Sequence, residues 1–454
     1  MEADLIIKNG FLVMPYVGVR KGDLAVREEK IVAILESASQ VKAREEIDAT
    51  GRYVFPGVVQ PHAHLGRADQ VEDFATETRS AALGGVTTTL VFHRGTEDYG
   101  SELAGMVREA ANLAYADFSY HLQIMSDEQI EKMPAYLKEF GISSFKLNLG
   151  YKGEEAKDKA ILEMNDGLLH AALQRIGTLP GVVACIHAEN SEIIAYHTAR
   201  LKKEGKDDLI SWSESRPDYA EAEAVQRTLY LSELTGCPLY IAHLTTDKGL
   251  RLVREHRKKG GAAVFAETCP QYLTHHMHSP VGRRGRFIPP LRKEADNEAL
   301  WQGLAKGDID TIGIDQGVRK IEPEEVSVWE RKTSPREAVT MLPVLITEGF
   351  YKRGLTLKRI AEITSANPAR IFNLYPRKGT LMVGSDADVT IVDLNQVKKV
   401  GKDIIQSFSD FSIYEGWSLQ GWPVLTLCRG KVIMRDGQPR GERGYGKYLE
   451  RQPG

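Results

Sequence analysis

Four cysteines in 454 residues (Cys185, Cys237, Cys269 and Cys428) stand far apart, and none belongs to a CxxC pair. That spacing argues against a disulfide framework and against a thiolate zinc site, and it fits a reducing cytoplasm. Charge of one sign is missing too: 59 Lys and Arg face 62 Asp and Glu, a formal charge of −3. With no basic field to hold a phosphate backbone, nucleic acid is not an expected partner. No apolar run reaches membrane-spanning length, so no membrane partner is expected either. Nor do the acids of Met1-Glu2-Ala3-Asp4 suit the basic start of a signal peptide. Short-period repeats and low-complexity tracts are also absent.

What is present is ordinary globular usage, 42% hydrophobic and 27% charged, in a chain long enough for a large core. Both ends read as short strands between turns: Asp4–Gly10, Asp23–Arg27 and Ile31–Ile34, then Val389–Val392, Val424–Leu427 and Lys431–Met434. These predict one small β-sandwich built from residues 1–51 and 376–454, the latter including a C-terminal tail. Between them, over residues 52–375, short β-branched runs alternate with helical patterns. The eight runs are Val54–Val59, Val86–Phe92, Phe118–Ile124, Ser144–Leu149, Val182–Ile186, Leu239–Ile241, Ala263–Ala266 and Ile309–Ile314. Eight parallel βα units of this length predict an α/β fold, a closed (β/α)₈ TIM barrel.

Barrel chemistry sits at the C-terminal ends of strands. After the first run, Pro61-His62-Ala63-His64 spaces two histidines i and i+2, on one side of an extended chain, where they could share a metal. His276 and His278 repeat the spacing, so the pattern alone decides little. In the fourth run Lys146 lies inside an apolar strand. It is either a lysine snorkelling from a strand edge or a buried amine of lowered pKa, able to take up CO₂ as a carbamate whose oxygens bridge two cations. His187 closes the fifth run, His243 the sixth and Asp315 the eighth. A lone strand-end histidine is usually a satisfied polar residue, but four histidines, one lysine and one aspartate arriving together suggest a two-metal centre. Neutral imidazole with hard oxygen ligands suits Zn²⁺ first, then Mn²⁺, Fe²⁺, Co²⁺ or Ni²⁺. A bridging water would become a hydroxide near neutrality. Asp315 would accept and pass on its proton while Tyr151 stabilises an oxyanion. His93, His121 and the His275-His276 pair read as structural, and Cys185 and Cys269 as small buried hydrophobes.

This set resembles the binuclear centre of the amidohydrolase superfamily, and the chain is similar over nearly its whole length to the hydantoinase and dihydropyrimidinase family. The shared motifs include Gly84-Gly85-Val86-Thr87-Thr88-Thr89, Ser215-Arg216-Pro217, Glu267-Thr268-Cys269-Pro270, Pro289-Pro290-Leu291-Arg292 and Asn367-Pro368-Ala369-Arg370. The resemblance implies one metal on His62, His64 and Asp315, a second on His187 and His243, and Lys146 bridging them as N6-carboxylysine. It also implies an oxyanion-binding Tyr151, a cytoplasmic homotetramer, and hydrolytic opening of a cyclic amide such as a hydantoin, dihydropyrimidine, ureide or imide. Gln60 and Gln316 replace the family's usual aspartate and histidine. At the substrate-binding positions, Ile288 stands for a serine, and Thr333, within Lys332-Thr333-Ser334-Pro335, lies where an Asn-Gly contact is usual. Gly66 follows HxHL where dihydroorotases carry an arginine, and Arg67 comes one place late. Two alternatives therefore stay open: a ring such as allantoin, dihydroorotate or a lactam, and a non-catalytic scaffold of the same fold.

Overall fold

A computed structural model describes residues 2–39, 41–66 and 72–453, so Arg67 lies outside the described residues. The strands are, in chain order, β1 (Glu2–Met14), β2 (Gly18–Arg27), β3 (Lys30–Leu35), β4 (Lys42–Asp48), β5 (Tyr53–Pro56), β6 (Val58–His64), β7 (Val86–His93), β8 (Asp117–Gln123) and β9 (Ser144–Asn148). They continue with β10 (Val183–His187), β11 (Leu239–Ile241), β12 (Val264–Thr268), β13 (Thr311–Ile312), β14 (Gln316–Gly317), β15 (Val389–Lys399), β16 (Ser418–Cys428), β17 (Lys431–Arg435) and β18 (Gln438–Pro439). Two compact units form. One comprises Met1–Val91, Val107–Ser119 and Arg336–Leu449, the other Phe92–Met106, Tyr120–Pro335 and Glu450–Gly454.

In the first unit the two chain ends share one sheet, in the order β18-β17-β16-β15-β5-β1-β2-β3, with β4 parallel to β1. Period-2 alternation explains its two apolar faces. Leu5, Ile7, Leu24 and Val26 join a core with Val54, Val389, Ile391 and Leu427, while Ile6 and Ala25, one residue out of phase, pack with Ala3 and Ala38 on the opposite side. The charged run of β4, Lys42-Ala43-Arg44-Glu45-Glu46-Ile47-Asp48, carries no apolar alternation to betray it as a strand, since it is largely exposed and pairs with β1 alone.

The expected first barrel strand, Val54–Val59, needs correction, because Gly57 divides it. Tyr53–Pro56 pairs with β15 and belongs to the terminal sheet, whereas Val58 starts β6, which pairs in parallel with β7. A Cβ on Gly57 would sit 2.2 Å from Thr87 Oγ1, so only glycine lets the chain pass so close while changing sheets. His62 and His64 are accordingly part of the strand and do not follow it. In the second unit β8 through β13 run parallel in chain order.

Helices return the chain between these strands, and their starts are legible. Asn165, Asn190, Asp208 and Thr246 each cap a helix with a side-chain oxygen, and Gly141, Gly236, Gly260 and Gly307 end helices in the left-handed conformation. Among the described residues no helix is long and apolar enough to cross a membrane.

Candidate metal centre

In the first unit His62 is buried and His64 half-buried at the end of β6, their rings 5.3 Å apart. Gln60 turns back along the strand, its Oε1 accepting the His62 N–H at 3.1 Å.

The second unit holds Lys146, His187, His243, Asp315 and Tyr151. Lys146 is the middle residue of β9 and 3% exposed, and its Nζ makes no hydrogen bond among the described residues. The Phe92 ring centre lies 4.7 Å from Nζ. Burial holds its pKa below the ordinary lysine value, and Cys185 and Asp315 offset this only in part. An ammonium left like this would be expensive to bury, so the environment selects an uncharged or converted amine.

His187 ends β10 with its Nδ1 3.0 Å from His243 Nε2. Its other nitrogen, Nε2, lies 2.8 Å from Glu189 Oε2. A carboxylate there fixes the tautomer with the proton on Nε2 and leaves Nδ1 as a lone-pair donor. Burial lowers the His187 pKa despite Glu189, which keeps that ring neutral. Two buried imidazole nitrogens converging in this way are suited to a cation. His243 and Asp315 also bring ligand atoms within 4.8 Å of each other. Both take positive φ, 39° and 53°, a conformation that costs energy for residues with a Cβ. Glu267 helps hold the first of these, accepting the His243 N–H at 2.8 Å while its other oxygen accepts the Tyr240 hydroxyl at 2.7 Å.

Tyr151 follows Gly150, where a Cβ would fall 2.4 Å from His187 Nε2. The glycine lets the chain graze the imidazole, and the Tyr151 ring lies 5.3 Å from that of His187. Burial pushes the phenol pKa well up, so Tyr151 remains a hydrogen-bond donor at neutral pH.

Spacing alone did not expose the ionic lattice behind these residues. Glu189 binds Arg216 Nη1 at 2.8 Å, Arg216 Nη2 reaches Glu155 at 2.5 Å, and Arg292 lies 3.7 Å from both Glu189 and Glu221. Glu221 accepts five hydrogen bonds from the backbone N–H and hydroxyl groups of Thr245 and Thr246, anchoring the loop after β11. Arg216 opposes its own burial with Glu155 and Glu189, and Glu189 is held near pKa 2 against burial by Arg216 and His187. The signal in the sequence was the Ser215-Arg216-Pro217 and Pro289-Pro290-Leu291-Arg292 motifs, whose arginines have no helical or strand role.

Ile288 is buried, and Thr333 is buried with a hydroxyl that finds no partner among the described residues. Their loops meet where Ser334 N–H donates to Arg286 O at 3.0 Å. The remaining histidines are occupied elsewhere. His121 Nδ1 pairs with Ser144 Oγ at 2.5 Å, His275 Nδ1 lies 3.0 Å from Thr274 Oγ1, and His93, pushed down to about 4 by burial, packs edge-on against Tyr99 and Tyr120. His276 accepts the backbone N–H of His278 through Nδ1. Cys185 is pushed up to about 12 by burial and stays a thiol.

The amidohydrolase family model matches residues 53–433. The D-hydantoinase of Geobacillus stearothermophilus is 33% identical, covering 98% of this chain and 96% of its own. A D-phenylhydantoinase of Escherichia coli is 35% identical, covering 99% and 98%. The crystal structure of dihydropyrimidinase from Brevibacillus agri NCHU1002 superposes with a TM-score of 0.90 at 30% identity, covering 99% of this chain and 98% of that one. The fold is thus the metal-dependent hydrolase (β/α)₈ barrel with its small terminal β domain, and the chain belongs to the amidohydrolase family, in the hydantoinase and dihydropyrimidinase branch.

Proposed function

We propose that the protein opens a cyclic amide by hydrolysis at a two-metal centre, the barrel of residues 52–375 carrying the site and the terminal segments supporting it. The observation that carries this is Lys146, buried in mid-strand with no partner for its Nζ. As a carbamate it would supply two oxygens to bridge two cations. His187 Nδ1 and His243 Nε2 would hold one cation, and His62, His64 and Asp315 the other, with zinc the best match to this donor set. When bound, two such ions would lower the pKa of a shared water and polarise a ring carbonyl.

The chain's own groups supply the rest. Asp315, at the end of the eighth barrel unit, accepts the proton of the attacking water and returns it to the departing ring nitrogen. Tyr151, kept protonated by burial, donates to the oxygen that gains negative charge. Glu189 holds His187 in one tautomer. Buried Ile288 and the Thr333 hydroxyl shape the ring site. Assembly as a cytoplasmic homotetramer accords with the family likeness.

Metal analysis together with turnover of hydantoin, dihydrouracil, allantoin and dihydroorotate tests the proposal. Two ions per chain and ring opening of at least one substrate are expected, with His187→Ala and Asp315→Ala folded but inactive. A metal-free protein after growth in added zinc would indicate a scaffold, and wild-type rates in either variant would overturn the residue assignment.

A further inference from the structure

Beside Tyr151 stand two cations that have no ion-pair partner among the described residues. Arg286 is 6% exposed, with its guanidinium carbon 3.9 Å from the centre of the Trp212 ring. Its Nε donates to Val328 O at 2.8 Å, but neither Nη makes a hydrogen bond or ion pair among the described residues. Lys159 is half-buried, its Nζ 5.0 Å from the Tyr151 ring centre, and it too has no ion pair or hydrogen bond there.

The nearby carboxylates hydrogen-bond to other groups, although Glu155, whose Oε1 has no hydrogen-bond partner among the described residues, offsets part of the charge on both cations. Glu155 binds Arg216, and Glu322 accepts the Lys332 N–H at 2.7 Å. Arg94 and Arg319 add further positive charge close to Lys159. Folded proteins seldom leave both terminal nitrogens of a guanidinium this buried without an acceptor, because their desolvation is then uncompensated. Burial lowers Arg286 to about 10 and Lys159 to about 7; Glu155 opposes the shift in both, and repulsion from neighbouring arginines adds to it. An anion between them would reverse that cost. Tyr151 places the pair next to the metal-binding histidines, since its ring also lies 5.3 Å from His187.

We propose that Arg286 and Lys159 form an anion-binding subsite beside Tyr151, which recognises a carboxylate carried as a substituent on the substrate ring. The substrate class is then an acidic cyclic amide, with Arg286 offering two parallel N–H donors and Lys159 a movable ammonium. The alkyl or aryl rings that a neutral pocket would take are disfavoured, because they would cover both cations without pairing them. The inference rests on the ring-opening function proposed above, so its test needs a readout that does not depend on turnover.

Two measurements compare 5-carboxymethylhydantoin with neutral 5-propylhydantoin, a probe of similar length: calorimetric binding and kcat/KM of the metal-loaded enzyme. The acid should bind more tightly. Lys159→Met should weaken the acid relative to the neutral ring by between about ten- and a hundredfold, the range of one charge-assisted hydrogen bond. Lys159→Arg should restore the preference, and Arg286→Gln should reduce it as well. Lys159 is half-exposed, so its variant tests the subsite even if Arg286→Gln fails to fold. Should neither ring be hydrolysed while the acid still binds preferentially in a Lys159-dependent way, the ring-opening function fails and the anion subsite stands. Equal binding of both rings by the wild type, or equal weakening of both in Lys159→Met, would overturn the subsite.

Discussion

Two lysines are buried about equally deeply in this chain and are treated in opposite ways. Lys378 is fully buried with Asp117 at 2.6 Å, Asp388 at 2.8 Å and Asp386 at 3.0 Å from its Nζ. Arg429 completes the cluster, its side chain on Asp117 and its backbone N–H donating to Asp388 at 2.8 Å. Burial alone would lower Lys378, but Asp388 and Asp117 hold it well above the ordinary lysine value. Asp117, Asp388 and Cys428 bring ligand atoms within 4.8 Å of one another, yet the ammonium already fills the place a cation would take. Lys146, 3% exposed, has no carboxylate on its Nζ and is pushed down. The lesson is that burial of a charge-bearing residue is not itself a mark of function. What separates a structural lysine from a chemical one is whether the fold supplies its counter-ions.

Exchange of the two outcomes by mutation would break that distinction, and the largest effect is expected at Lys146. Lys146→Ala should stay folded but lose metal and activity together, as measured by metal analysis and ring opening. A short carboxylic acid added from solution should partly restore both by occupying the vacated bridge. Tight binding of two metals by Lys146→Ala would end the bridging role. Lys378→Met should do the reverse. Removing one partner of a buried ionic cluster leaves uncompensated charge, and the expected loss of stability is about 3–5 kcal/mol in urea unfolding. The metal content of the folded fraction should not change.

Next in size is Tyr151→Phe, which keeps the ring beside His187 but removes its donor. The metals should remain, and kcat should fall about 10²–10³-fold with little change in KM, the usual cost of one oxyanion donor. An unchanged kcat on the best substrate would make Tyr151 a packing residue.

The candidate metal residues of the barrel were legible because each is a polar residue that closes or interrupts an apolar run: His187 closes β10, and Lys146 interrupts β9 at its middle, in Ser144-Phe145-Lys146-Leu147. Less legible was the boundary at Gly57, because the apolar run Val54–Val59 continues through it and only the close pass at Thr87 divides it. Strand β4 was invisible because it is largely exposed and buries little besides Ile47, too little to set up an apolar alternation. The Glu189–Arg216–Glu155 lattice and the Lys378 cluster join residues tens to hundreds of positions apart, Asp117 and Lys378 among them. No local period encodes such pairings, although a charged residue inside an apolar stretch marks one end of each. The unpaired state of Arg286 is likewise a property of the folded surroundings and not of Arg283-Arg284-Gly285-Arg286.

A third buried ionisable group sharpens the comparison, with the smallest expected effect. Glu337 has no counter-ion among the described residues and no chemical role in the proposed mechanism. Thr340 Oγ1 donates to its Oε1 at 3.0 Å, the Ser412 hydroxyl donates to the same oxygen, and burial raises its pKa from 4.5 to about 7 despite both. Where Lys378 keeps its charge through partners, Glu337 is accommodated by holding its proton. Between pH 4.5 and 7 the folded chain therefore binds a proton at this site that the unfolded chain has released, so stability falls as pH rises across that window. The contribution is fully present below the unfolded value and is lost as pH passes about 7. At about 1.4 kcal/mol per pKa unit, the loss over this shift of about 2.5 units amounts to about 3 kcal/mol by pH 8. Glu337→Gln carries no proton to lose and keeps an oxygen for both hydroxyls. Urea unfolding at pH 5, 6, 7 and 8 should show the wild type weakening relative to this variant, with the gap opening between pH 5 and 7 and levelling off by pH 8. Parallel curves would mean that Glu337 is ionised in the fold and that some group other than the two hydroxyls compensates its charge.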